Sequence, residues 1–99
     1  MMLSFNEKVY RAAKKIPRGK VATYQWIARK INNPGSVRAV GNALHKNPYA
    51  PHVPCHRVVC SDGRLGGFAG GAGKKEKLLR REGVSIKNKR IDLLKFGLG

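Results

Sequence analysis

Apolar positions recur at helical spacing through the first half of the chain. Phe5, Val9, Ala12, Ala13 and Ile16 predict a first helix, and Ser4 with Glu7 has the form of a capping box at its start. Pro17-Arg18-Gly19 stops it, and Lys20-Val21-Ala22 is a short connector that can extend. Thr23 then offers an N-cap for a second helix carrying Tyr24, Ile27, Ala28 and Ile31 at i, i+3, i+4 and i+7. After the turn cluster Asn32-Asn33-Pro34-Gly35, Ser36 caps a third helix with Val37, Val40, Gly41 and Leu44 at the same spacing. Two short amphipathic helices joined by a tight turn match the outline of a helix-turn-helix, which an ordinary helical hairpin shares.

The second half reads differently. Asn47-Pro48 ends the third helix, because a residue before proline leaves the α region. Tyr49 to Pro54 is an irregular loop, Arg57 to Cys60 a short strand, Ser61-Asp62-Gly63 a turn, and Arg64-Leu65 a return. Residues 66–73 hold five glycines in eight positions. No Lys-Ser/Thr follows them as a phosphate-binding loop requires, so a backbone lying close to a flat ligand is the better reading. Lys74 to Arg81 forms a basic helix with Leu78 and Leu79 inward and Gly83 as its left-handed stop. Val84 to Phe96, within the segment 84–99, reads as a strand or a wrapping tail. With no repeat and no linker, 1–99 is expected to be one domain, mainly α with a small β element.

Charge sharpens this picture. Lys and Arg number 21 against 5 acidic residues, a formal net charge of +16. A polyanionic partner is implied, nucleic acid first and an acidic membrane surface second. No apolar run is long enough to span a bilayer, and the start lacks the basic and apolar regions of a secretory signal. Cys55 and Cys60 form no disulfide framework, so an intracellular, reducing setting is expected. The charge favours DNA as the target of the paired helices. Arg38 then sits in the first turn of the recognition helix facing outward, and Ala39, Gly41 and Ala43 allow close approach.

The densest chemistry lies in Pro54-Cys55-His56-Arg57. A thiol is nucleophilic as a thiolate, and nearby positive charge, here Arg57, favours that form. A buried structural cysteine is the alternative. Zinc would need four ligands, and only His52, Cys55, His56 and Cys60 cluster; in an extended strand the two thiols would point to opposite faces. A direct Cys55–His56 dyad is awkward in an extended segment, whereas a water bridges the two if the chain turns there. A carboxylate must orient the imidazole, and Glu82 beside Gly83 suits this better than Asp62 in its turn or Glu7 in its cap. Joined together, thiol, glycine loop and paired helices suggest a base flipped into a pocket and an alkyl group attacked by the thiolate.

These residues resemble the DNA-binding, active-site domain of the O6-alkylguanine–DNA alkyltransferases. The resemblance runs from about Phe5 to Gly83 through Arg38-Ala39-Val40-Gly41, Asn47-Pro48, Pro54-Cys55-His56-Arg57-Val58-Val59, Gly70-Gly71, Leu78-Leu79 and Glu82-Gly83. It implies a helix-turn-helix, winged-helix-like fold that binds the minor groove. It implies that Cys55 accepts the alkyl group irreversibly, with His56 drawing the proton through water, Glu82 holding His56, Asn47 bracing the turn and Tyr24 assisting the leaving purine. It further implies that Arg38 fills the stack left by the flipped base, with Tyr24, Thr23, Ala39 and Gly41 on the DNA. The carbonyls of Cys55 and Val58 would accept from the guanine amino group, and Val58, Phe68, Ala69 and Gly70 would shape the pocket.

The implied partner is double-stranded DNA containing O6-alkylguanine, bound by a monomer with no cofactor and no metal. Two features depart from the family pattern: the usual amino-terminal domain has no counterpart in these residues, and Ala69 stands where many members have serine. The related alkyltransferase-like proteins share the single-domain size but replace the acceptor cysteine, typically with tryptophan; Cys55 is kept here. Recognition of the lesion without efficient transfer is therefore the alternative, and a generic basic DNA-binding protein a third class.

Overall fold

A computed structural model describes residues 3–50, 52–67 and 71–98, apart from the side chain of Ala72. In chain order the elements are α1 (Phe5–Lys14), β1 (Ala22–Thr23), α2 (Tyr24–Lys30), α3 (Val37–His45), a 3-10 helix (Cys55–Arg57), β2 (Val58–Val59), α4 (Ala72–Arg81), β3 (Ile86–Lys87), β4 (Arg90–Ile91) and α5 (Leu93–Phe96). The molecule is mainly helical with two small sheets, as the apolar spacing predicts.

Local chemistry sets the helix starts. Ser4 and Glu7 form the reciprocal capping box of α1, and the Thr23 hydroxyl accepts from the Trp26 N–H to cap α2. Ser36 flanks α3 but does not cap it; its hydroxyl donates to the Asn33 carbonyl at 2.6 Å, satisfying the turn instead. Helices α1, α2 and α3 pack on a core of Val9, Ala13, Ile16, Ile27, Ala28, Val40 and Leu44. Within it the Tyr10 hydroxyl donates to the Ala43 carbonyl at 2.8 Å.

The helical half joins the rest through one parallel strand pair, Ala22 opposite Val58 and Thr23 opposite Val59. Successive strand side chains face opposite ways. Val58 therefore enters the helical core, while Val59 enters a second one with Val21, Leu65, Leu79, Val84, Ile86, Ile91 and Phe96. Strand β2 is the wall between the two cores, and Cys55-His56-Arg57 stands at its entrance. The segment read as a strand or a wrapping tail is both: β3 and β4 form an antiparallel hairpin, α5 follows, and Leu98 and Phe96 bond the backbone of Val21.

Candidate active site and nucleic-acid interface

The strand expected over Arg57 to Cys60 is confined to Val58–Val59; Cys55 to Arg57 form a turn of 3-10 helix instead. The Arg57 N–H donates to the Pro54 carbonyl, and the Cys55 N–H to that of Val53. This turn overturns the expectation that the two thiols face apart. Cys55 and Cys60, both half-buried, line one cavity of about 280 Å³ with Tyr24, Gly41, Asn42, Leu44, His45, Gly66 and Gly67. The cavity thus lies between the start of α2, the inner side of α3 and the glycine-rich loop.

His56 follows the thiol but turns inward and is 4% exposed. Its Nε2 lies 3.0 Å from Glu82 Oε2. Burial holds the imidazole below its ordinary pKa of 6.5 against the opposing pull of Glu82, so it is neutral at neutral pH. A carboxylate at Nε2 fixes the proton there and leaves Nδ1 as the acceptor. No hydrogen bond joins the ring to Cys55 Sγ among the described residues.

Arg57 has a different task from the one its adjacency to the thiol suggests. Its Nε and one terminal nitrogen grip both oxygens of Glu82 at 2.9 and 2.8 Å, and the other donates to the Ile16 carbonyl at 2.8 Å. Burial pushes the Glu82 pKa up, but bonds from Arg57 and His56 together hold it below the ordinary value. The guanidinium neutralises Glu82 and ties Ile16, just after α1, to the imidazole's support.

The cation that does face the thiols is Lys75, which sequence reasoning missed. It is 1% exposed, and its Nζ donates to Val58 O at 2.7 Å and Gly67 O at 3.2 Å while lying 5.8 Å from the Tyr24 ring centroid. Burial lowers its pKa to about 8, with Cys55 and Cys60 pulling the other way. A signal existed: Lys75, Leu78, Leu79 and Glu82 fall at i, i+3, i+4 and i+7, placing Lys75 on the inward stripe of α4. The Val58 carbonyl, expected to be open to a guanine amino group, already accepts from this ammonium and keeps one lone pair.

Tyr24 sits at the first turn of α2 with its pKa raised to about 12, by burial first and then by Cys60 and Cys55. Its phenol stays protonated and serves as a hydrogen-bond donor. Asn47 donates to Val53 O at 2.8 Å and accepts from the Tyr49 N–H at 2.9 Å, so it spans the loop leading to Cys55. Arg38 and Ala39 are exposed on the first turn of α3, Gly41 borders the cavity, and the Thr23 hydroxyl is engaged in capping α2. His52 is exposed, and His45, also exposed, edges the cavity. Phe68, Ala69 and Gly70 lie outside the described residues. No group of three or more His, Cys, Asp or Glu able to hold a metal occurs among the described residues. No helix among them is long and apolar enough to cross a membrane.

Fold and site together define a helix-turn-helix domain in which a cavity-facing thiol adjoins an imidazole held by a buried carboxylate. Residues 4–84 match the family described as the 6-O-methylguanine DNA methyltransferase DNA-binding domain, and the chain belongs to that family. It is 49% identical over 79 residues to a methylated-DNA–protein-cysteine methyltransferase of Methanosarcina acetivorans, covering 80% of this chain and 51% of that protein. The namesake from Salmonella typhimurium is 47% identical over 82 residues, covering 83% and 48%. The chain thus spans about half the length of these curated relatives. Among solved structures, S. pombe Atl1 in complex with damaged DNA containing O6-carboxymethylguanine aligns with a TM-score of 0.88 at 34% identity, covering 100% of this chain and 99% of that one. Mycobacterium tuberculosis OGT in complex with DNA aligns at 0.79 with 42% identity, covering 84% and 51%.

Proposed function

We propose that the protein repairs duplex DNA by transferring an alkyl group from O6 of a flipped guanine to Cys55, once per molecule. The observation that carries this reading is the Cys55 thiol opening into the cavity behind Tyr24 and α3, beside an imidazole whose Nδ1 is left free by Glu82. The thiol proton passes through a water to His56 Nδ1. The sulfur then forms a bond to the alkyl carbon as the carbon–O6 bond breaks, and the electron pair moves onto the purine. The Tyr24 hydroxyl, held protonated, donates a hydrogen bond to the departing guanine, and the purine takes its proton from water. Asn47 holds the turn that presents the thiol, and Gly66 and Gly67 wall the base, while the Val58 side chain, expected in the pocket, is buried in the helical core instead.

Flipping the base costs a few kcal/mol, least for a damaged pair. Arg38, exposed on the first turn of α3, occupies the gap, while Ala39 and Gly41 let that helix approach the minor groove closely. Capping by Thr23 fixes the start of α2 and hence the position of Tyr24.

A second reading, recognition of the lesion without efficient transfer, is favoured by the S. pombe Atl1 match, which runs the whole length of both chains. Intact mass after incubation with duplex carrying O6-methylguanine separates the two. Gain of one methyl group at Cys55, absent in Cys55→Ser, is the expected result. Tight binding with unchanged mass would establish the second reading, and equal affinity for undamaged duplex would exclude both.

A further inference from the structure

Negative charge is distributed unevenly along this chain. No Asp or Glu occurs between Glu7 and Asp62, a stretch that includes α1 from Lys8 onward and the whole of α2 and α3. On the outer side of that half, Lys8, Arg11 and Lys15 follow one another at i, i+3 and i+7 along α1. With Lys30 from the end of α2 they line a cleft of about 280 Å³ whose other walls are Leu3, Ala12, Ile31 and Asn32. All four cations are exposed, and no carboxylate forms an ion pair with any of them among the described residues.

Within this arrangement the cations of α1 repel one another. Like charges three or four residues apart on a helix destabilise it by about 0.2–0.5 kcal/mol per pair. Lys30 adds a fourth charge, and its ammonium is held 5.1 Å from the centroid of the Trp26 ring. The three α1 cations span roughly 10 Å, about three base-pair steps of a duplex. The cleft borders the α2–α3 turn, on the same acid-free half as Arg38 but at the opposite end of α2 from Tyr24. The molecule's longest extent is 41 Å, enough to follow a duplex well past a single lesion.

We propose that the cleft formed by Lys8, Arg11, Lys15 and Lys30 grips the phosphate backbone of the duplex flanking the site, extending the footprint beyond the flipped base. This rests on the reading of the protein as DNA-binding, and its occupant is backbone phosphate with no base specificity. Each phosphate neutralised releases counterions, so the contact is read in the salt dependence of affinity.

The test compares wild type with Lys8→Gln/Lys15→Gln/Lys30→Gln on undamaged duplexes of about 8 and about 24 base pairs, chosen to fall short of and to exceed the molecule's length at ~3.4 Å per base pair. The slope of log K against log salt should fall by roughly 2–3 units on the long duplex and stay unchanged on the short one, at about 0.9 per phosphate. Methyl transfer to Cys55 on the short damaged duplex should match wild type. An unchanged slope on the long duplex overturns the proposal. An equal fall on both also overturns it, because the cations then act as a diffuse field rather than on flanking DNA. Absence of transfer by wild type would count against the repair reading alone, since the salt measurement needs neither lesion nor thiol. Thermal melting of the triple variant checks that removing like charges leaves the fold intact.

Discussion

Lys75 Nζ donates to the Val58 carbonyl at 2.7 Å, tying α4 to the strand that divides the two cores. A second bond to Gly67 O fastens the start of the glycine-rich loop to the same ammonium. No carboxylate pairs with Lys75 among the described residues, so the protein bears the cost of a buried charge beside two thiols.

That cost gives stability a distinctive dependence on pH. Folding lowers the Lys75 pKa from 10.5 to about 8. Below pH 8 both folded and unfolded chains carry the proton, and the penalty is fully present. Between 8 and 10.5 the folded chain releases it first, so stability rises with pH from this group, by about 3 kcal/mol over the whole window. Urea unfolding at pH 7.5 and 10 should show wild type gaining relative to Lys75→Met. Parallel behaviour of the two proteins would refute the assignment.

Glu82 carries the opposite dependence. Its folded pKa lies below 4.5, so its contribution is present above that value and is lost as pH falls through the lower folded pKa. Glu82→Gln at neutral pH leaves the Arg57 guanidinium with a poorer partner and should cost about 3 kcal/mol, as removing one member of a buried pair does. His56 adds an earlier step: its folded pKa lies below 6.5, so its protonation penalises the folded state as pH drops from there. The stability gap between wild type and Glu82→Gln should persist from pH 7 to 4.5 and close below. A gap that closes well above 4.5 would refute the assignment of the acid limb to Glu82.

Much of this was legible in the chain because the signals are local. The capping box of Ser4 and Glu7, the Thr23 cap and the left-handed Gly83 (φ +91°) each depend on residues a few positions apart. The pairing of Cys55, His56 and Glu82 came from the family resemblance and from scarcity of acids, since no local pattern joins positions 56 and 82. Pairing of Ala22 with Val58 is non-local and left no periodic trace in strands of two residues. The 3-10 turn at Cys55 was hidden because Val58-Val59 reads as a strand that could begin earlier. Lys75 is not distinguished from the other cations of its helix by residue type, and only its place on the inward stripe with Leu78 and Leu79 marks it.

Asn47 should matter through the loop rather than through chemistry. The Val53 carbonyl accepts from both the Asn47 amide and the Cys55 N–H, so Asn47 is one atom removed from the turn that presents the thiol. Asn47→Ala loses this bond and the one from Tyr49, and should destabilise by about 1–2 kcal/mol. Asn47→Asp keeps the acceptor for the Tyr49 N–H but cannot donate to Val53. Alkylation of Cys55 by iodoacetamide should change in both variants if the Val53 bond sets the turn; a change in Asn47→Ala alone would assign the effect to Tyr49 instead.

Gly66 is the position where the smallest substitution should do most damage to the cavity. Its φ of +76° already disfavours any side chain, at a cost of about 1–2 kcal/mol. A Cβ there would stand 2.9 Å from the Tyr24 hydroxyl oxygen, 3.2 Å from its ring and 3.4 Å from Cys60 Sγ. Relief requires Tyr24 to move, and Tyr24 cannot swing freely because Lys75 lies against its ring. Gly66→Ala should therefore lower the rate of the proposed methyl transfer far more than it lowers stability, whereas Gly67→Ala, whose added carbon meets no non-neighbouring atom within 4 Å among the described residues, should change neither. The two variants differ by one position in the same loop, so single-turnover rates on damaged duplex compare them directly. Equal rates would show that the loop tolerates the carbon and that Tyr24 is not held in place by Gly66.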